Sequence, residues 1–128
     1  MQLPIVLALI LCDDVWTDRN SRKLSVLGVY GSLMVARSNP RVERLTVYTS
    51  LTECPAHFDV KVRVIDVNDE RTAVAERMEA VESPDPRAVL QGFFRFDGVN
   101  FDHPGEYRVQ LWACDELLLE RRLLVAHI

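Results

Sequence analysis

Glu106-Tyr107-Arg108-Val109-Gln110-Leu111-Trp112-Ala113 decides the fold class, because its polarity alternates with a period of two. In an extended chain Tyr107, Val109, Leu111 and Ala113 share one face, and Glu106, Arg108, Gln110 and Trp112 share the other. A helix would scatter both sets around its circumference. The same pattern recurs upstream. Phe58, Val60, Val62 and Val64 alternate with Asp59, Lys61 and Arg63 before the phase slips at Ile65-Asp66-Val67, as at a bulge or a strand end. Leu45, Val47, Thr49 and Leu51 alternate with Arg44, Thr46, Tyr48 and Ser50, and Leu90, Phe94 and Phe96 with Gln91, Phe93, Arg95 and Asp97. Three further runs, Pro4–Leu11, Leu24–Tyr30 and Leu117–Ala126, are β-like but apolar on both faces, the last with a charged interruption at Glu120-Arg121-Arg122.

Turn chemistry separates these runs. Asp18-Arg19-Asn20-Ser21, Asn39-Pro40, Asn68-Asp69-Glu70, Ser83-Pro84-Asp85-Pro86, His103-Pro104-Gly105-Glu106 and Cys114-Asp115 all break or reverse a strand. Thr72–Glu82 is the ambiguous segment. Its Ala, Glu, Arg and Met favour a helix, and Val74, Met78 and Val81 fit helical spacing. The hairpin-length link from Val67 and the need of the preceding strand for a partner favour a strand, which is the reading taken. The expectation is an all-β, antiparallel two-sheet sandwich of seven or eight strands. It forms one domain over residues 1–128, with Gly31–Arg44 as its longest irregular connection.

Composition narrows the function classes. Fifteen Lys and Arg against nineteen Asp and Glu leave a net charge of −4, which disfavours nucleic acid as a partner. Cys12, Cys54 and Cys114 are an odd number without metal-ligand spacing, as expected of reduced thiols in a cytoplasmic protein. The apolar run Leu3–Leu11 ending in Cys12 suggests a lipoprotein signal, so a lipid-anchored secreted binding domain is one alternative. No Lys or Arg precedes that run, Leu11 stands where a small residue belongs, and the run is too short to span a membrane as a helix. A buried first strand and no membrane partner are therefore expected.

Cys12-Asp13-Asp14-Val15, Lys23-Leu24-Ser25-Val26-Leu27-Gly28-Val29-Tyr30-Gly31 and Phe101-Asp102-His103-Pro104-Gly105-Glu106-Tyr107-Arg108-Val109 follow one another in an order that carries a resemblance. Together they resemble a family of small, functionally uncharacterised bacterial proteins with an immunoglobulin-like β-sandwich. That resemblance implies an architecture and no activity. Tyr107 resembles the tyrosine-corner residue of such sandwiches, with His103 where an Asp often stands. No Cys follows at Val109, so the antibody-type disulfide is absent.

Candidate chemistry is sparse. Cys54 with His57, and Asp102 with His103, are the pairs a small thiol- or histidine-dependent enzyme would need. Asp13, Asp14 and Asp18 lack the spacing of a calcium loop. No residue is assigned to a catalytic, cofactor or metal site. The expected role is a non-enzymatic module that binds a protein partner, a homodimer included, through an outer sheet face. Trp112, Phe93 and Tyr48 are its anchors, because each ring stands among polar neighbours. Leu118 in the last strand and Arg37 and Arg41 in the Gly31–Arg44 connection complete the candidate contact residues.

Overall fold

The structure, a computed structural model, describes residues 2–128. Among these residues there is no helix, and nine strands form two sheets. They are β1 (Ile5–Thr17), β2 (Leu24–Val29), β3 (Ser32–Val35), β4 (Arg41–Thr52), β5 (His57–Asp66), β6 (Asp69–Glu82), β7 (Leu90–Asn100), β8 (Gly105–Ala113) and β9 (Glu116–His127). One sheet has the order β2-β1-β4-β7 and the other β3-β9-β8-β5-β6. The layers touch where β1 meets β9 and where β6 meets β7, which defines two flanks.

The core follows from the period of two. Leu9 and Leu11 of β1, Leu45 and Val47 of β4, and Phe94 and Phe96 of β7 face Val62 and Val64 of β5, Val109 and Leu111 of β8, and Leu123 and Val125 of β9. Burying each of these side chains contributes roughly 1.5–3 kcal/mol. Two corners are stapled by specific groups. The Tyr107 hydroxyl donates to the His103 carbonyl at 2.7 Å and accepts from the His103 N–H at 3.3 Å, so the expected tyrosine corner forms. Cys114 and Asp115, both at positive φ, close the β8–β9 hairpin as its two central residues require.

Three expectations need correction. The strand count is nine because Ser32–Val35, read as part of an irregular connection, pairs with Leu124–His127. That pairing is parallel, so the sandwich is not wholly antiparallel. The β5–β6 turn also falls on Val67-Asn68, one residue earlier than its sequence suggested, with the Asn68 N–H held by the Asp66 carboxylate at 2.9 Å. Thr72–Glu82 is strand, as read: it pairs with β5 from His57↔Glu82 inward. Its Ala, Glu and Met sit on an edge strand where neighbours decide the backbone and propensity does not.

Candidate functional site

Beyond Cys12, β1 leaves β4 and pairs with β2 alone, Asp14–Thr17 against Leu24–Leu27. Gly28 takes φ +68°, and a Cβ there would run into the Asp13 side chain, so the arm closes tightly only with glycine. Val15, Leu24 and Val26 of this arm form a second apolar cluster with Cys12, Tyr48 and Phe93 on the outer face of the four-stranded sheet. Two of the motif segments quoted above, Cys12–Val15 and Lys23–Gly31, are thus partners in one arm. Asp14 fastens it down. Arg95 Nε donates to Asp14 Oδ1 at 2.9 Å, and Arg44 Nη1 to Oδ2 at 3.1 Å. The Arg95 hydrogen bond, followed by that from the Val15 N–H, holds the Asp14 carboxyl below the usual carboxylate range against the opposing effect of burial.

This arm changes the fate of the expected anchors. Ile10, Tyr48 and Phe93 are directly opposite across three strands, but the arm leaves Tyr48 only 8% exposed. The Tyr48 hydroxyl accepts from Gln91 Nε2 at 2.6 Å, and the Phe93 ring lies beneath the Arg95 guanidinium at 4.8 Å. Trp112 belongs to the other sheet. It is half-buried on that outer face, donating from Nε1 to Gln110 at 3.1 Å with Lys61 Nζ 4.8 Å above its ring. Trp112 and Phe93 therefore lie on opposite outer faces and cannot form one patch. Leu118 is half-buried and packs against the main core, because the β8–β9 register shifts beside it. Arg37 and Arg41 are exposed. The Arg37 N–H donates to the Ile128 carbonyl at 2.9 Å, and Arg41 Nε lies 3.5 Å from Glu43.

The candidate catalytic pairs are engaged elsewhere. No hydrogen bond joins Cys54 to His57. His57 Nδ1 lies 3.6 Å from Glu82, both exposed, and burial pushes the Cys54 thiol up, away from a reactive thiolate. His103 acts through its backbone, in the tyrosine corner. Asp18 accepts from the N–H groups of Asn20 and Ser21, which is turn chemistry. Among the described residues no cluster of three or more His, Cys, Asp or Glu is placed to hold a metal ion, and no helix is long and apolar enough to cross a membrane. The cavity where β4 and β7 face β5 and β6, lined by Leu51, Val60, Val81 and Phe94, holds about 90 Å³, too little for a metabolite.

What the sequence did not reveal is where the apolar surface gathers. Among the described residues, every exposed large hydrophobic residue apart from Met78 and Val89 lies on β1, β2, β3 or β9 or within two residues of their ends. These four strands make one flank. Its upper half is crossed by the chain itself, as β2 passes through Tyr30 into β3. Its lower half is an open groove lined by Val6–Ile10 of β1 with Leu119 and Arg121 of β9. A register shift between Val6 and Ala8 turns Leu7 outward, leaving it 53% exposed although Leu9 and Leu11 are buried.

The chain matches the Family of unknown function (DUF6941) over residues 7–126. It belongs to that family. The DUF6941 match runs from the outward-turned Leu7 to Ala126, one residue short of the end of β9. It therefore takes in the groove, the β1–β2 arm and both corners. No curated protein matches the chain.

Proposed function

We propose that this DUF6941 protein is a non-catalytic, protein-binding domain of immunoglobulin-like architecture whose docking surface is the β1–β2–β3–β9 flank. The observation that carries the reading is the one-sided placement of exposed Leu, Ile, Val, Met and Trp side chains. Scattered exposed apolar residues need no explanation, but their gathering on the strands of one flank, around a groove that exposes Leu7 and Leu119, has the composition of an interface. Support for the architecture comes from the β1-β4-β7 and β9-β8-β5 pairings and from the Tyr107 corner. Engagement of His57 and His103 in other roles supports a non-catalytic one. Three unpaired thiols fit a cytosolic location.

The test is affinity capture from the native host with three baits: the wild-type chain, Leu7→Glu and Met78→Glu. Leu7 lines the groove and Met78 lies on the far flank, and both are exposed, so folding is spared. The expected result is a set of proteins retained by wild type and Met78→Glu and lost with Leu7→Glu. Identical sets from all three baits, or loss only with Met78→Glu, would contradict the docking flank.

A further inference from the structure

We propose that the occupant of the open half of this flank is a second copy of the same chain. Leu7 and Leu119, the exposed aliphatic side chains that line the groove, meet the same residues of the other copy about a two-fold axis. This rests on the docking-flank reading and adds the identity of the partner. A two-fold contact is the commonest way for identical chains to associate, and it asks only that a surface be complementary to itself.

The backbone edges of the groove are guarded against a simpler occupant, an extended peptide adding a strand. Pro4 offers no N–H, and the register shift between Val6 and Ala8 breaks the edge of β1. The Leu9 carbonyl accepts from Arg121 Nη1 at 2.6 Å and the Leu11 carbonyl from the Tyr30 N–H at 3.0 Å. On the facing strand, Glu120, Arg121 and Arg122 keep the exposed edge of β9 charged. What remains on offer is side chains, aliphatic apart from Arg121, whose guanidinium is bound to the Leu9 carbonyl, and these fit a preformed apolar surface better than an unfolded segment.

Charge selects the copy among such surfaces. From Gln2 to Cys12 the chain has no charged residue, and β2 and β3 have none. On β9, Glu116 and Glu120 are balanced by Arg121 and Arg122. The excess acid lies on the opposite flank, where β6 carries Asp69, Glu70, Glu76, Glu79 and Glu82 against Arg71 and Arg77. Two molecules of net charge −4 that meet through the neutral flank keep their acidic flanks apart. A largely aliphatic surface without net charge is also the composition of homodimer interfaces, whereas transient hetero-complexes are more polar. A stable interface needs about 800 Å² per partner, roughly a tenth of the 7774 Å² surface of this chain, and four of the nine strands border the flank.

Sedimentation equilibrium on the full chain from about 1 to 500 μM tests the proposal. Wild type is expected to sediment at twice 14.7 kDa. Leu7→Glu and Leu119→Glu, each present twice in a dimer, should weaken association about a hundredfold or more, and Leu7→Gln less. Met78→Glu should leave the mass unchanged, and circular dichroism checks that every variant folds. A strictly monomeric wild type overturns the proposal; if its captured proteins are still lost with Leu7→Glu, the docking flank stands with a different occupant. A dimer that survives Leu7→Glu and Leu119→Glu but is lost with Trp112→Ala overturns it as well, placing the contact on the outer face of the five-stranded sheet.

Discussion

Phe101→Ala is expected to lower the unfolding free energy by about 3–5 kcal/mol, a large part of the stability of a domain this size. Phe101 is fully buried although it lies outside any strand. Its ring meets that of Tyr107 edge-on at 4.9 Å, an arrangement that adds about 0.5–1.5 kcal/mol beyond the buried area. Its backbone is pinned as well, the N–H donating to the Pro40 carbonyl at 2.7 Å and the carbonyl accepting from His127 Nε2 at 2.8 Å. Because these backbone bonds hold the corner in place, the loop cannot collapse into the space the ring leaves, and the cavity persists. Urea denaturation should show a lower midpoint with an unchanged slope. Trp16→Ala, on the exposed β1–β2 arm, should change stability by less than about 0.5 kcal/mol. A loss below about 1 kcal/mol for Phe101→Ala would mean that the corner does not anchor the sandwich.

Alkaline pH is expected to unfold the protein through groups the fold keeps neutral. Burial pushes the Cys12 thiol from its ordinary 9.0 to about 11, with the charges of Asp13 and Asp14 adding to the effect. Burial likewise raises the hydroxyls of Tyr30 and Tyr107 above their ordinary 10.0. Each folded-state pKa exceeds its unfolded value, so the stabilisation is complete below the unfolded pKa. For Cys12, unfolding releases a proton between pH 9.0 and about 11, and stability falls as pH rises through that window. The tyrosines extend the loss above pH 10. Melting temperatures across this range should drop steeply. Cys12→Ala should start lower, because it empties a buried site, yet show a shallower decline with pH. A flat profile up to pH 11 would contradict this assignment of buried, neutral groups.

Strand faces were legible in the sequence; the pairing of faces and their cover were not. Alternation along Glu106–Ala113 places Trp112 outward and Leu111 inward, as found. It could not say that Phe93, also outward, belongs to the other sheet, because period two fixes a side and carries no sheet assignment. Nor could it show that the β1–β2 arm folds over Tyr48, since that cover depends on where β1 leaves β4. Strand β3 was hidden by its length. Four residues give too few alternations to read, and its partner lies about ninety positions away. The groove was half visible. Pro4–Leu11 is apolar on both faces in the sequence, and the register shift at Val6–Ala8 is what leaves Ile5 and Leu7 outside while Leu9 and Leu11 go in.

Carbene footprinting with mass spectrometry reads the solvent access of aliphatic side chains and tests the docking flank most directly. In dilute wild-type protein, the groove residues Leu7 and Leu119 should label strongly. As concentration rises, or when a captured partner is added, their labelling should fall while that of the Met78 peptide stays constant. Flank labelling that never changes, or protection confined to the faces carrying Trp112 or Met78, would contradict the account.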